Sequence, residues 1–171
     1  EFIMLMNIGG LQHALGDYTD AISYYEEAII RLDSNDPRRY WLKMLVAWSD
    51  FSLSKGDTVV LKQAYDRAKP ILHKIENRLN PFNKGSAYIL ASAIASQLGR
   101  FHDAIQLSKT YVNIKNTDSS KLDLATELLY LKKNADANEV FRRVDLRNIS
   151  KGSLALWYWL KDDEMQARIH L

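Results

Sequence analysis

The 171-residue sequence contains no cysteine. That excludes a disulfide framework and thiolate chemistry, and it fits a reducing, cytoplasmic setting. Glycine and proline are scarce, at 7 and 3 residues, too few for the many turns of an all-β protein. The net charge is only +2, too weak a field to point to nucleic acid or an anionic membrane. No apolar run reaches the ~20 residues of a membrane-spanning helix. The segment Ala87–Leu98 is bracketed by Lys84 and Arg100, and no basic leader precedes the apolar start Phe2–Met6.

Catalytic signatures are missing as well. The histidines are His13, His73, His102 and His170, and none sits in HExxH or at metal spacing from another ligand. G-x-S-x-G, GxxxxGK[ST] and GxGxxG do not occur. The expectation is a protein that is not an enzyme, with no cofactor and no metal. His73 and Glu76, three apart, read as a solvated helix pair. His102-Asp103 reads as the first turn of a helix, where an acid complements the dipole. Asn148-Ile149-Ser150 spells a glycosylation acceptor, a triplet that chance supplies often.

With 47% hydrophobic and 26% charged residues, the chain has the composition of one globular domain, 1–171. Its organisation is a repeat. Gly16-Asp17-Tyr18 is followed by Ala21, Tyr25 and Ala28, spaced four and then three apart. Gly56-Asp57 precedes Leu61, Tyr65 and Ala68 at the same offsets, and Gly99-Arg100-Phe101 precedes Ala104, Ser108 and Tyr111. A fourth copy keeps Ala137, Phe141 and Val144 without a glycine, and a fifth opens at Asp162-Asp163-Glu164 with Ala167. The turns lie about 40 residues apart, a period that signals stacked structural units.

Upstream of each turn lies a second apolar-periodic segment: Leu5, Ile8 and Gly9; Trp41, Leu45, Trp48 and Phe51; Tyr88, Ala91 and Ala95; Leu122, Ala125 and Leu128; Leu154, Trp157 and Leu160. Small residues at Gly9, Ser49, Ser92 and Ala155 would let paired helices approach closely. Helices are predicted at about 2–15, 18–32, 38–54, 58–78, 85–98, 101–115, 119–132, 135–146, 151–161 and from 163 onward. Pro37 suits a helix start, and Asn80-Pro81 reads as a loop. Pro70 is expected to kink or split its helix.

These residues resemble the tetratricopeptide repeat (TPR) family, in a long-unit form. The match is strongest in the first copy, where Leu5, Ile8-Gly9, Gly16-Asp17-Tyr18, Ala21, Tyr25 and Ala28 fit the motif and Gln12 replaces its usual aromatic. The resemblance implies an all-α, right-handed α-α superhelix of four helix pairs plus a partial fifth, read as part of a larger protein. It also implies a groove lined by first helices, with Met6, Gly10, His13, Val46, Asp50, Leu53, Ile89, Ala93, Gln97, Thr126, Leu129, Tyr130, Leu156 and Trp159 facing inward. From that row, Val46, Asp50, Ile89, Ala93, Thr126, Tyr130 and Trp159 are the expected partner-binding residues.

The row is mostly apolar. It implies a scaffold or adaptor that takes an amphipathic helix or apolar-anchored peptide. The alternative is the sensor region of a signalling or transcriptional regulator that binds a peptide or small ligand. Some members of the family grip chaperone carboxylate tails with Lys, Asn and Arg. This chain has Met6, Gly10, Ala47, Ser86 and Leu90 at those places, so such tails are not expected partners. Trp157-Tyr158-Trp159 puts three aromatics in a row on one helix, so at least one must leave the core.

Overall fold

A helix end leaves backbone carbonyls without partners, and the chain closes them here by turning left-handed. The computed structural model describes residues 1–75 and 81–170. At Gly16 φ is 89°. The Gly16 N–H donates to the His13 carbonyl and the Asp17 N–H to the Gln12 carbonyl. The same pair of bonds recurs at Gly99, with Ser96 and Ala95 accepting. The second turn is one residue looser: Lys55 and Gly56 are both left-handed, with φ of 45° and 91°. Gly16, Gly56 and Gly99 thus occupy corresponding turns.

Between these turns lie α1 (Phe2–Leu15), α2 (Tyr18–Ile30), α3 (Arg38–Ser54), α4 (Thr58–Ile75), α5 (Pro81–Gln97), α6 (Phe101–Lys115), α7 (Asp118–Tyr130), α8 (Asn134–Phe141), α9 (Lys151–Leu160) and α10 (Glu164–Ile169). A 3-10 turn covers Leu146–Asn148. The described residues contain no strand, and the fold is all-α. The chain divides into two compact units, Glu1–Arg100 and Phe101–Leu171.

In the first unit each helix packs on the next in order, from α1 through α5. The first pair closes tightly because small residues meet an aromatic. Ala21 and Ala28 are fully buried, and a methyl group at Gly9 would stand 2.8 Å from the Tyr25 ring. Leu42 and Val46 of α3 continue this core with Leu5, Tyr25 and Leu32. Ser49 and Ser92 are fully buried, as their small size suggests. His13 Nδ1 and Ser49 Oγ are 2.9 Å apart, tying α1 to α3.

In the second unit α7 is central, packed against α6, α8 and α9. Its core joins Leu122, Ala125 and Leu128 to Ile105, Ala137 and Trp157. Phe141 stacks on Trp157 with ring centroids 4.2 Å apart. Thr117 caps α7 reciprocally with Ser120.

Several expectations need correction. Pro70 does not split its helix: α4 runs unbroken through it. Pro70 is exposed, so the one backbone bond it removes lies on the wet side. The opposite face buries Leu61, Ala64, Tyr65, Ala68, Leu72 and Ile75 and holds the helix. Pro81 opens α5 instead of sitting in a loop, a position where a missing N–H costs nothing. Asn80, Glu76 and the expected end of α4 at 78 lie outside the described residues. The helix α8 stops at Phe141, short of the expected 146. Its last bonds, Arg143 N–H to Val140 and Val144 N–H to Phe141, tighten to three-residue spacing while Val144 stays buried. On α3 the Trp41/Leu45/Trp48/Phe51 face is not the deepest. Trp48 is 36% exposed, while Leu42, Met44, Val46 and Ala47 are closed off.

Candidate binding surfaces

The expected site residues fall in both units. In the first, Val46 is 2% exposed and Asp50 is buried one turn further along α3. Both turn toward second helices. Val46 packs with the α1–α2 core, and the Asp50 carboxylate lies 3.2 Å from the Arg67 guanidinium on α4. Ile89 and Ala93 are half-buried on α5. In the second unit Thr126 is half-buried and Tyr130 exposed on α7. Of the three aromatics on α9, Trp157 is buried, Tyr158 half-buried and Trp159 63% exposed. Tyr158 stacks on His170 with centroids 5.6 Å apart.

Around Val46 the first unit forms a cleft of about 560 Å³. Its walls come from three helices: Ile29 and Ile30 from α2, Tyr40 and Val46 from α3, Pro70 and Ile71 from α4. Glu26, Lys43, Arg67 and Lys74 also line it. Local chemistry fixes the shape. Arg39 donates to the Ile29 and Leu32 carbonyls and so pins the start of α3 to the end of α2. Arg67 bridges from α4 to Glu26 on α2 at 3.0 Å. Ile30 is 76% exposed, and the Pro70 ring presents an apolar surface where a helix usually shows a polar one.

Several charged groups are unevenly matched. Burial pushes the Asp50 carboxyl up from its ordinary value; Arg67 pulls it down, and Glu26 pushes it up further. One Asp50 oxygen, Oδ2, is buried with no hydrogen bond, because its ion pair with Arg67 is not aligned as one. Burial also lowers His13. On α7, the surrounding protein and then the Glu127 charge push the Asp123 carboxyl up to about 6, although the residue keeps an exposed edge. The Ser108 hydroxyl donates to Glu127.

Sequence reasoning named Val46 but not the α2 and α4 walls. An exposed isoleucine ending α2 and a proline inside α4 were the available signals. Among the described residues no group of three His, Cys, Asp or Glu side chains could hold a metal ion, and no helix is long and apolar enough to cross a membrane.

The tetratricopeptide-repeat profile matches residues 3–29. No curated protein matches the chain in sequence. Among solved structures it is similar to a candidate kinesin light chain of Podosopora anserina, made of nearly identical TPR-like repeats. The TM-score is 0.75 at 13% identity, covering 98% of this chain and 90% of that one. A point variant of the same protein, with methionine in place of one glutamine, gives 0.73 at 13% identity, covering 98% and 89%. Residues 3–29 are a tetratricopeptide repeat, and the chain as a whole has the helical-repeat fold of TPR-like structures.

Proposed function

We propose that the chain is a non-catalytic, cytoplasmic scaffold that binds a protein or peptide, and that the α2–α3–α4 cleft takes an apolar side chain of the partner. The cleft carries this reading. Its size suits a bulky side chain, its walls are apolar, and its lining also offers charges of both signs to orient a peptide. An amphipathic helix or short apolar-anchored segment has that chemistry. Val46 belongs to the lining, and Asp50 acts indirectly, through its ion pair with the lining residue Arg67. Ile89 and Ala93 in the first unit, and Thr126, Tyr130 and Trp159 in the second, are proposed as separate contact points. Chaperone carboxylate tails are not the proposed partners.

The test is a selection of displayed amphipathic helical peptides on the intact chain, with binders then measured on variants. Ile30→Glu places a charge at the cleft wall on an exposed residue, so circular dichroism should stay unchanged. Affinity should fall about tenfold or more, the range of a truncated hot spot. Binding that survives Ile30→Glu but fails with Ile89→Glu or Trp159→Ala would move the site to those surfaces.

A further inference from the structure

Among the described residues, the α2–α3–α4 cleft is lined by three cations, Lys43, Arg67 and Lys74, and one acid, Glu26. The acid is already matched: Arg67 holds Glu26 at 3.0 Å and Asp50 at 3.2 Å. Lys43 and Lys74 are exposed, and among the described residues neither has an ion-pair partner. The lining thus carries two positive charges beyond those the fold itself pairs.

Helix chemistry explains one of these lysines better than the other. Lys74 lies in the last turn of α4, where a cation complements the helix dipole. Lys43 lies in the second turn of α3, near the end where the dipole gives a cation no support. The neighbouring cations are engaged: Arg38 pairs with Asp36, and Arg39 donates to the carbonyls that end α2.

Position ties both lysines to the apolar walls. Lys43 and Val46 are three residues apart on α3, and Ile71 and Lys74 three apart on α4, so each pair shares a helix face. The short turn around Gly56 joins two helices that pack together, so α3 and α4 run antiparallel. Lys43 precedes Val46 and Lys74 follows Ile71, which displaces both ammonium groups toward the same end of the pair, away from Gly56. An apolar side chain seated on Val46 and Ile71 therefore meets positive charge about one helical turn away. A lysine ammonium has donors only, and the group that complements it is a carboxylate.

We propose that Lys43 and Lys74 are specificity residues of the cleft, and that they select a partner segment with a carboxylate within one helical turn of its apolar anchor. The inference rests on the reading that the cleft takes an apolar side chain, and adds the sign of the charge beside it. Such charges speed the approach of an acidic segment and repel a basic one.

The probe is an apolar-anchored helical peptide selected on the intact chain, made in three versions with Glu, Gln or Lys one turn from the anchor. In fluorescence anisotropy titrations the Glu version should bind about two- to fivefold tighter than the Gln version, the range of an exposed ion pair, and the Lys version most weakly. The differences should shrink at about 1 M salt. Lys43→Gln and Lys74→Gln should each reduce the preference for Glu, and Lys43→Glu combined with Lys74→Glu should reverse it in favour of the Lys version. Lys62→Gln removes the same charge from an exposed position of α4 outside the lining and should leave the preference intact. All three lysines are exposed, so circular dichroism should match the parent. Equal binding of the three versions, a preference that survives loss of both lysines, or one lost equally with Lys62→Gln overturns the proposal; if Ile30→Glu still abolishes binding, the cleft reading stands without it. Binding indifferent to Ile30→Glu overturns the cleft reading and this inference together.

Discussion

The two units build the same turn from different residues. In Glu1–Arg100 the left-handed positions include Gly16, Gly56 and Gly99; in Phe101–Leu171 they are Asn116, Lys132 and Asp162, with φ of 44°, 56° and 57°. Lys132 and Asp162 nevertheless make the same closing bonds as Gly16. The Lys132 N–H donates to Leu129 and the Lys133 N–H to Leu128, while the Asp162 N–H donates to Trp159 and the Asp163 N–H to Tyr158. Each lies five residues before the fully or nearly buried alanine of its second helix, Ala137 or Ala167. The helix pair requires the turn geometry, and glycine is only the least strained residue for it.

The largest effects test whether the two units share one packing scheme. Ala21 and Ala137 are both fully buried at the same offset from their turns. Ala21→Leu and Ala137→Leu should each lower stability by about 1–3 kcal/mol in urea unfolding, the usual cost of overpacking. A large loss for one and none for the other would break the equivalence.

The turns themselves come next. Nothing lies within 4 Å of a side chain added at Gly16, so its substitution tests backbone conformation alone. Gly16→Ala should cost about 1 kcal/mol, and Lys132→Gly should gain roughly 0.5–1 kcal/mol by relieving the left-handed lysine. Thermal melts of both variants should shift in opposite directions. A loss with Lys132→Gly would mean that the lysine side chain supports its turn in some other way.

A smaller effect sharpens the contrast in buried charge. Asp50 has a raised folded-state pKa, so the fold disfavours its ionised form. The folded protein then holds the proton more tightly than the unfolded chain. Stability falls as pH rises from the ordinary carboxylate value through the folded one, and the deficit stays above it. Asp50→Asn should therefore be as stable as the parent or more so at pH 7, because Arg67 keeps Glu26. The advantage should fade as pH drops toward about 4. An Asn variant much less stable at pH 7 would show that the Asp50–Arg67 pair stabilises the fold.

Much of the fold was legible because local chemistry writes it. The Gly16-Asp17-Tyr18 turn, with Ala21, Tyr25 and Ala28 after it, defines a helix pair without reference to anything distant. The failures are equally physical. Pro70 removes one hydrogen bond, but the buried face of α4 outweighs it, and only tertiary packing shows which side of the helix is wet. Spacing over Ala137, Phe141 and Val144 continued past the true end of α8, because a tightened turn can bury the third residue as a helix would. The left-handed Lys132 carries no sequence mark. The cleft depends on Ile30, Val46 and Pro70 meeting from three helices. Periodicity can say that each helix has an apolar side, but not which exposed edges converge.

The central claim is that the α2–α3–α4 cleft is where a partner binds. Hydrogen exchange of the intact chain, with and without a selected helical peptide, tests it most directly. The account predicts new protection concentrated at the end of α2, around Tyr40–Val46 and around Arg67–Lys74, with α7 and α9 unchanged. Protection confined to α5, α7 or α9, with the cleft helices exchanging as before, would contradict it.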